Sequence, residues 1–227
     1  MSTDLEKLLT YLEVEAIDKY LFVGKSPSFP SRVFGGQVLA QALSAALRTV
    51  DAERTAHSMH AYFLRPGDPT KQIIYEVDPI RDGRSFTTRR VVAKQEGKAI
   101  FNTSVSFQTG ENGLSHQATM PDVPPPEEVE SDNDYMRRIS KEAGKEVRTP
   151  FFGHIERRSV VKRNYLQPES CEPVQHIWFR APGNPGDDST RHQTLLAYIS
   201  DFGLLGTAMF PHPITPRSSS VQEASLD

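Results

Sequence analysis

The sequence predicts an α+β fold, and three features of its 227 residues support this prediction. Apolar residues recur at helical spacing up to residue 48, and after that point they alternate with the period of two that is typical of strands. Four strand-like segments then follow one another with turns between them, which indicates an antiparallel meander. The second half repeats the order of strand, proline-containing loop and apolar helix.

Length and composition limit the class of protein. The chain is longer than one typical domain and shorter than two, so we expect about one and a half domains. Lys and Arg total 26 against 29 Asp and Glu, and the net charge of −3 argues against a nucleic-acid partner. The longest apolar run, Leu195–Phe210, is interrupted by polar residues and is too short to span a bilayer.

The sequence also indicates a compartment. A single cysteine, Cys171, cannot form an internal disulfide, which favours a reducing environment. The N-terminal run MSTDLEKLL lacks the pattern of a signal peptide. We therefore predict a cytoplasmic protein. A peroxisomal location is the alternative, although Ser225–Leu226–Asp227 is not a peroxisomal address.

The first half contains two predicted helices and five predicted strands. A capping box at Thr3 and Glu6 precedes leucines at helical spacing, and Gly35–Arg48 forms a second, alanine-rich helix that a curved sheet could surround closely. The predicted strands are Tyr20–Gly24, His57–Leu64, Gln72–Val77, Ser85–Gln95 and Ala99–Phe107.

The middle of the chain is rich in proline and acidic residues, which is typical of a linker. We therefore predict a first unit over residues 1–110, a linker over 111–150 that carries a short helix, and a second unit over 151–227. In the second unit the predicted strands are Ile155–Lys162 and Val174–Arg180, and one helix runs from Arg191 to Phe210.

The two long helices are similar in sequence, and their one large difference is informative. When Gln37 is aligned with Gln193, Leu39 falls on Leu195 and Ala45 falls on Asp201. Asp201 is the only charged residue between Thr194 and Phe210, and an unpaired buried carboxylate is costly. We expect Asp201 either to act as a general base or water-orienting group in a cleft, or to bind a neighbouring backbone group or an arginine.

Other kinds of site have little support. There is no nucleophile-elbow, Walker or dinucleotide-binding motif. His57 and His60 lie three residues apart on a strand, so we predict that they point to opposite faces and form no metal site. Cys171 precedes Glu172, which disfavours a reactive thiolate.

Four runs resemble the acyl-CoA thioesterase II family, in the same order and across essentially the whole chain. They are Arg32–Ala42, His60–Gly67, Arg81–Arg89 and His192–Asp201. The resemblance implies a tandem, or double, hotdog fold in which each half wraps an antiparallel sheet around one long helix. The repeat and the order of helix and meander agree with that expectation.

The resemblance also implies a chemistry: hydrolysis of fatty acyl-CoA to a free acid and CoA, without a metal or a cofactor. In the family an Asp, a Ser or Thr and a Gln hold the attacking water. Asp201 matches the Asp and Ser225 matches the hydroxyl, while Ala45 would make the first half a degenerate copy. Backbone N–H groups at a helix start could stabilise the oxyanion.

The partners expected on this basis are acyl-CoA and further copies of the chain in a homo-oligomer. Four arginines could meet CoA phosphates, although solvated surface charge is the simpler role for each of them. They are Arg65, Arg89, Arg90 and Arg180.

The family's Gln lies beyond the last residue of this sequence. In the first half the meander runs from the helix end at Leu47 to Phe107, and the same length after Met209 would end at about residue 269. We therefore predict a C-terminally truncated second unit with low solubility and little activity. The alternative function is an inactive acyl-CoA-binding or interaction module. A hotdog hydratase is disfavoured because Gly206 stands where its His would be.

Overall fold

Alternating apolar residues in the first half form the antiparallel sheet that the sequence predicts. The computed structural model describes residues 4–27, 32–146, 155–215, 218 and 221. These residues divide into two units, the first including 4–27, 32–114 and 185–202 and the second including 115–146, 155–184 and 203–215. The elements of the first unit are α1 (Asp4–Leu12), β1 (Glu15–Asp18), β2 (Leu21–Gly24), α2 (Gly35–Leu47), β3 (Thr55–Phe63), β4 (Ile73–Asp82), β5 (Phe86–Gln95), β6 (Lys98–Gln108) and α4 (Ser189–Ser200).

The six strands pair in the order β1-β2-β4-β5-β6-β3, and each pairing is antiparallel. Hydrophobic alternation sets the register: in β4 the side chains of Ile73, Tyr75 and Val77 are buried on one face. The tight β5–β6 turn is made by Glu96 and Gly97, whose φ angles are 47° and 75°. Two positive φ angles match the twist of a two-residue hairpin. The predicted α+β fold is confirmed.

The alanine-rich helix α2 lies against the inner face of this sheet. Ala40, Ala42, Ala45 and Ala46 are wholly buried, because side chains this small let the helix approach the strands closely. A polar contact fixes the same helix, since the Gln41 amide accepts a hydrogen bond from the Tyr75 hydroxyl at 2.7 Å. The Gln41 amide also donates to the carbonyls of Tyr11 and Lys25.

The helix α4 belongs to the first unit, where it packs beside α2. Leu195 is its buried residue, and the Gln193 amide donates to the Ala56 carbonyl at 2.7 Å. The Asp188 carboxylate caps the helix start by accepting from the backbone N–H of Thr190.

The prediction of one continuous helix from Arg191 to Phe210 is wrong. Helix α4 ends at Ser200, Asp201 is its C-terminal cap, and a separate helix, α5 (Leu204–Ala208), follows. The break occurs because Gly203 has φ 88°, the left-handed conformation that ends helices and that glycine adopts without strain. The apolar composition that predicted a long helix carries no information about this break.

The second unit contains α3 (Asp132–Glu142), β7 (Glu156–Ser159), β8 (Ile177–Arg180) and α5, with a short 3-10 helix at Pro126–Glu128. Strands β7 and β8 pair antiparallel over four residues each, a shorter extent than the sequence predicted. Helix α3 is the helix expected within residues 111–150, and it packs on β7. The domain boundaries at 110 and 150 stay a prediction.

A buried ionic cluster joins α3 to β7 in the second unit. The Asp132 carboxylate accepts from the Ser159 backbone N–H at 2.8 Å and from Lys162 Nζ at 2.7 Å. Its Oδ2 lies 3.0 Å from Arg157 Nε, and the Asp132 and Arg157 side chains are both less than a tenth exposed. The cluster therefore holds charges that would be costly to leave unpaired in the interior.

We expect Asp132→Ala to destabilise the second unit by about 3 kcal/mol, because it leaves the buried Arg157 guanidinium without this carboxylate. Chemical denaturation followed by tryptophan fluorescence measures the loss, since Trp178 lies in the same unit. The control Glu142→Ala removes an exposed carboxylate of the same helix, 3.7 Å from Arg138, and should change the unfolding free energy by less than about 0.5 kcal/mol. Equal effects of the two variants would contradict the role given to the cluster.

Candidate active site

The candidate site lies where α4 ends and α2 begins, both within the first unit. Asp201 caps the C-terminus of α4 and is half-buried. Its Oδ2 accepts a hydrogen bond from the backbone N–H of Gly36 at 2.9 Å. Gly36 is the second residue of α2, so this N–H has no partner inside its own helix. The positive end of the α2 dipole also favours the carboxylate.

The two glycines at the start of α2 make room for this contact. A Cβ on Gly35 would lie 2.7 Å from Asp201 Oδ2 and 2.9 Å from the Phe63 ring. A Cβ on Gly36 would lie 2.3 Å from the Tyr198 carbonyl oxygen and 2.5 Å from the Phe34 ring. Real Cβ atoms do not approach other atoms so closely, so the absence of side chains at 35 and 36 permits α2 to meet α4.

Three aromatic rings surround this meeting point, and we call them the aromatic cluster: Phe34, Tyr198 and Phe202. The Phe34 ring lies 5.3 Å from the Tyr198 ring in an edge-to-face arrangement and 4.8 Å from the Phe202 ring. The Tyr198 and Phe202 rings are 5.4 Å apart. Such distances are typical of favourable aromatic pairs.

Burial in this environment raises the pKa of the Asp201 carboxyl above its ordinary value, and the hydrogen bond from Gly36 lowers it by a smaller amount. The net rise means that the site disfavours the charged form of the carboxyl. Burial likewise raises the pKa of the Tyr198 phenol, which keeps that group neutral. Carboxyls with raised pKa values are candidates for general acid–base work.

The second carboxylate oxygen of Asp201 is available. Among the residues that the structure describes, Oδ1 has no hydrogen-bond partner, whereas Oδ2 is held by Gly36. A carboxylate held by one oxygen and free at the other can orient a water molecule and accept its proton.

Asp201 therefore binds a backbone group, as one of the two expectations held, and its Oδ1 has no partner among the described residues. The role of Asp201 as a general base stays a prediction. Ser225, the other predicted site residue, lies outside the described residues. Sequence reasoning expected helix-start N–H groups at the site but did not identify Gly36 as the partner of Asp201. The signal was the glycine pair Gly35–Gly36 at the start of a helix, which indicates close approach of another group.

The first half has no carboxylate at the position equivalent to Asp201. Ala45 lies inside α2 and is wholly buried in the hydrophobic core. An acid at this position would be surrounded by apolar side chains, so the alanine serves packing.

The structure also places the remaining candidate residues, His57, His60 and Cys171. The prediction that His57 and His60 point to opposite faces is wrong, because β3 carries a bulge between Ala56 and Ser58 and both imidazoles are exposed. Cys171 is exposed and free. The described residues form no cluster of three or more metal-ligating side chains, and none of their helices is long and apolar enough to cross a membrane.

The arginines considered for CoA phosphates are engaged with protein groups. Arg89 is 3% exposed and donates to the Thr49 carbonyl, and its guanidinium lies 2.6 Å from the Asp82 carboxylate, so it is a structural residue. Partners of the others are the Ala99 carbonyl for Arg65, Asp78 for Arg90 and Glu156 for Arg180.

Two family models match the chain. The model described as "Acyl-CoA thioesterase N-terminal domain" matches residues 25–108, and the model described as "Acyl-CoA thioesterase" matches residues 145–227. The second match contains Asp201 and Ser225.

Curated proteins with similar sequences have matching names. Acyl-CoA thioesterase 2 of Haemophilus influenzae is 37% identical over the whole chain and over 80% of its own length. Human acyl-coenzyme A thioesterase 8 is 38% identical over 92% of the chain and 70% of its own length.

Solved structures agree with these matches. An acyl-CoA thioesterase II from Mycobacterium marinum superposes with a TM-score of 0.70 at 34% identity, covering 91% of this chain and 71% of its own. A hot dog fold protein of unknown function from Alicyclobacillus acidocaldarius gives a TM-score of 0.71 at 19% identity, over 95% and 74% of the two chains. The predicted hotdog fold is confirmed.

We expect Gly36→Ala to destabilise the first unit by about 2 kcal/mol, because its Cβ would overlap the Tyr198 backbone oxygen, which cannot move as a flexible side chain does. Urea unfolding monitored by circular dichroism measures the change. Gly110→Ala is the matched control, since a Cβ there meets nothing within 4 Å, and its unfolding midpoint should stay at the wild-type value. A wild-type midpoint for Gly36→Ala would show that α2 and α4 do not meet as described.

Proposed function

Because the chain belongs to the acyl-CoA thioesterase family, we propose that it hydrolyses fatty acyl-CoA thioesters to a free fatty acid and CoA. The observation that carries the mechanism is the Asp201 carboxylate, held at Oδ2 by the Gly36 N–H and free at Oδ1 among the described residues. The acyl-CoA thioester is the substrate, and the attacking group is water.

In the proposed reaction, Asp201 Oδ1 accepts a hydrogen bond from a water molecule and takes its proton as the water oxygen attacks the thioester carbonyl carbon. The resulting tetrahedral intermediate collapses when the carbon–sulfur bond breaks. The proton on Asp201 then passes to the departing CoA sulfur, which restores the carboxylate and releases the acid and the thiol.

The environment of Asp201 supports this role. An aspartate in open water is a weak base, and burial that raises its pKa makes it a stronger proton acceptor. The bond from Gly36 fixes the carboxylate plane, so the proton acceptor is positioned before the substrate arrives. Ser225 is the second proposed ligand of the water. This is supported by the family resemblance and by the acyl-CoA thioesterase family model, which matches residues 145–227.

The alternative proposal is a binding module of the same fold, in which the Asp201–Gly36 bond only joins two helices. Self-association is a further proposal, supported by large apolar side chains that are exposed on the strands: Tyr62, Ile80 and Phe86. The cytoplasmic location stays a prediction from the sequence.

We expect Asp201→Asn to lower the rate of thiol release from acyl-CoA by about 100-fold or more, because the amide can still accept from Gly36 but cannot accept a proton. Thiol release is followed with a chromogenic disulfide reagent. Asp187→Asn, the same change at an exposed aspartate, is the control and should retain the wild-type rate. An unchanged rate in Asp201→Asn contradicts the base assignment. Acyl-CoA binding without thiol release in the wild type favours the binding module.

The pH dependence of kcat/KM should report the same carboxyl. Because the active form is the carboxylate and the pKa is raised, activity is expected to fall on acidification at a pH above the ordinary aspartate value of 3.8. The residual activity of Asp201→Asn should lack this acidic limb. If the acidic limb is unchanged in Asp201→Asn, the group that titrates is not the Asp201 carboxyl.

A further inference from the structure

The aromatic cluster has a role in the proposed reaction that its packing alone does not describe. We propose that Phe34, Tyr198 and Phe202 are positioning residues: their rings keep bulk water from the Asp201 carboxylate, so that its free oxygen holds the reacting water. The proposal rests on the proposed function for its catalytic consequence. Its physical core, the exclusion of water from one carboxylate, can be measured without substrate.

The three rings lie close along the chain to Asp201 or to its donor, Gly36. Phe202 follows Asp201 directly, and Tyr198 precedes it by three residues, so it lies on the adjoining turn of the same helix face. Phe34 stands two residues before Gly36, the donor to Asp201. The rings therefore extend from both ends of the hydrogen bond, and their mutual distances of 4.8–5.4 Å leave no room for water between them.

A fourth ring, that of Phe63, stands near the same carboxylate. The position of a Cβ on Gly35 would be within 3 Å of both Asp201 Oδ2 and the Phe63 ring, so that ring stands close to the same oxygen. Phe63 itself packs on the buried Phe101 ring, with centroids 5.1 Å apart. Aromatic surface from β3 thus lies near the hydrogen-bonded oxygen.

The described residues of α2 and of the last turn of α4 supply no compensating charge to Asp201. Helix α2 contains no charged residue, and the last turn of α4 contains no basic residue. The charged side chains of α1, which also packs on α4, are exposed: Asp4, Glu6 and Lys7. The Tyr198 phenol is the titratable neighbour, and burial raises its pKa, so it stays neutral. Loss of hydration is therefore what acts on the Asp201 charge, in agreement with the raised pKa of its carboxyl.

Linkage gives the sign of the effect. A carboxyl whose pKa is higher in the folded state favours folding when it is protonated, and this contribution is lost as pH rises through the raised pKa. Asp201→Asn removes the charged form. At neutral pH this variant should therefore unfold at a higher denaturant concentration than the parent, which is a gain in stability. The gain should disappear below the ordinary value of 3.8, where the parent carboxyl is protonated in both states.

The experiment measures the gain in unfolding free energy caused by Asp201→Asn at a series of pH values. It is measured once in the parent protein and once in the Phe202→Ala variant. Opening the aromatic cluster to water should reduce the gain of Asp201→Asn at neutral pH by about half or more, because the charge is then hydrated. In the Asp201-containing enzyme, Phe202→Ala should move the acidic limb of kcat/KM to lower pH and lower kcat more than it changes KM.

Two kinds of control separate hydration from general loss of packing. Phe86→Ala removes an exposed ring on β5 and should leave both the gain and the acidic limb at their wild-type values. Phe202→Leu keeps an apolar side chain of similar reach and should restore most of the wild-type behaviour.

An undiminished gain in the folded Phe202→Ala protein overturns the proposal. If Phe202→Ala does not fold, Phe34→Ala is taken through the same pH titration, and an undiminished gain in that background has the same meaning. Failure of the proposed function gives a different result: the stability gain depends on the rings as expected, while Asp201→Asn leaves thiol release unchanged.

Discussion

The hydrogen bond from the Gly36 N–H to Asp201 Oδ2 is the contact on which the candidate site depends. It joins the start of one helix to the end of another, and it satisfies a helix-start donor with an acidic acceptor. The bond also makes the two carboxylate oxygens different. Oδ2 is fixed by Gly36, while Oδ1 has no partner in the described part of the chain. The base that we propose is therefore held in its reacting geometry before the substrate arrives.

Several features of the first unit serve this one contact. Alanines let α2 lie deep against the sheet, and the Gln41–Tyr75 hydrogen bond fixes the helix there. The glycines at 35 and 36 then leave space at the helix start for α4. The packing that stabilises the unit is thus also what places a backbone donor next to Asp201.

The site combines a stabilising contact with a destabilising one. The Gly36 N–H favours the Asp201 carboxylate, while the loss of hydration on burial disfavours its charge. The net result is a carboxyl that accepts a proton more readily than one in open water. Catalytic groups are commonly held in such states, with the cost carried by the surrounding core.

The sequence by itself determined most of the order of helices and strands, the alanine-rich helix α2, and Asp201 as the unusual charge, because hydrophobic period and residue type are local properties. It did not predict the short strand β1, whose four residues are all exposed. It failed where backbone conformation decides: the left-handed Gly203 ends α4, and a bulge turns His57 outward. Only the tertiary structure decided that Gly36 holds Asp201. The two residues are 165 positions apart, and their contact follows from helix packing rather than from any pattern along the chain.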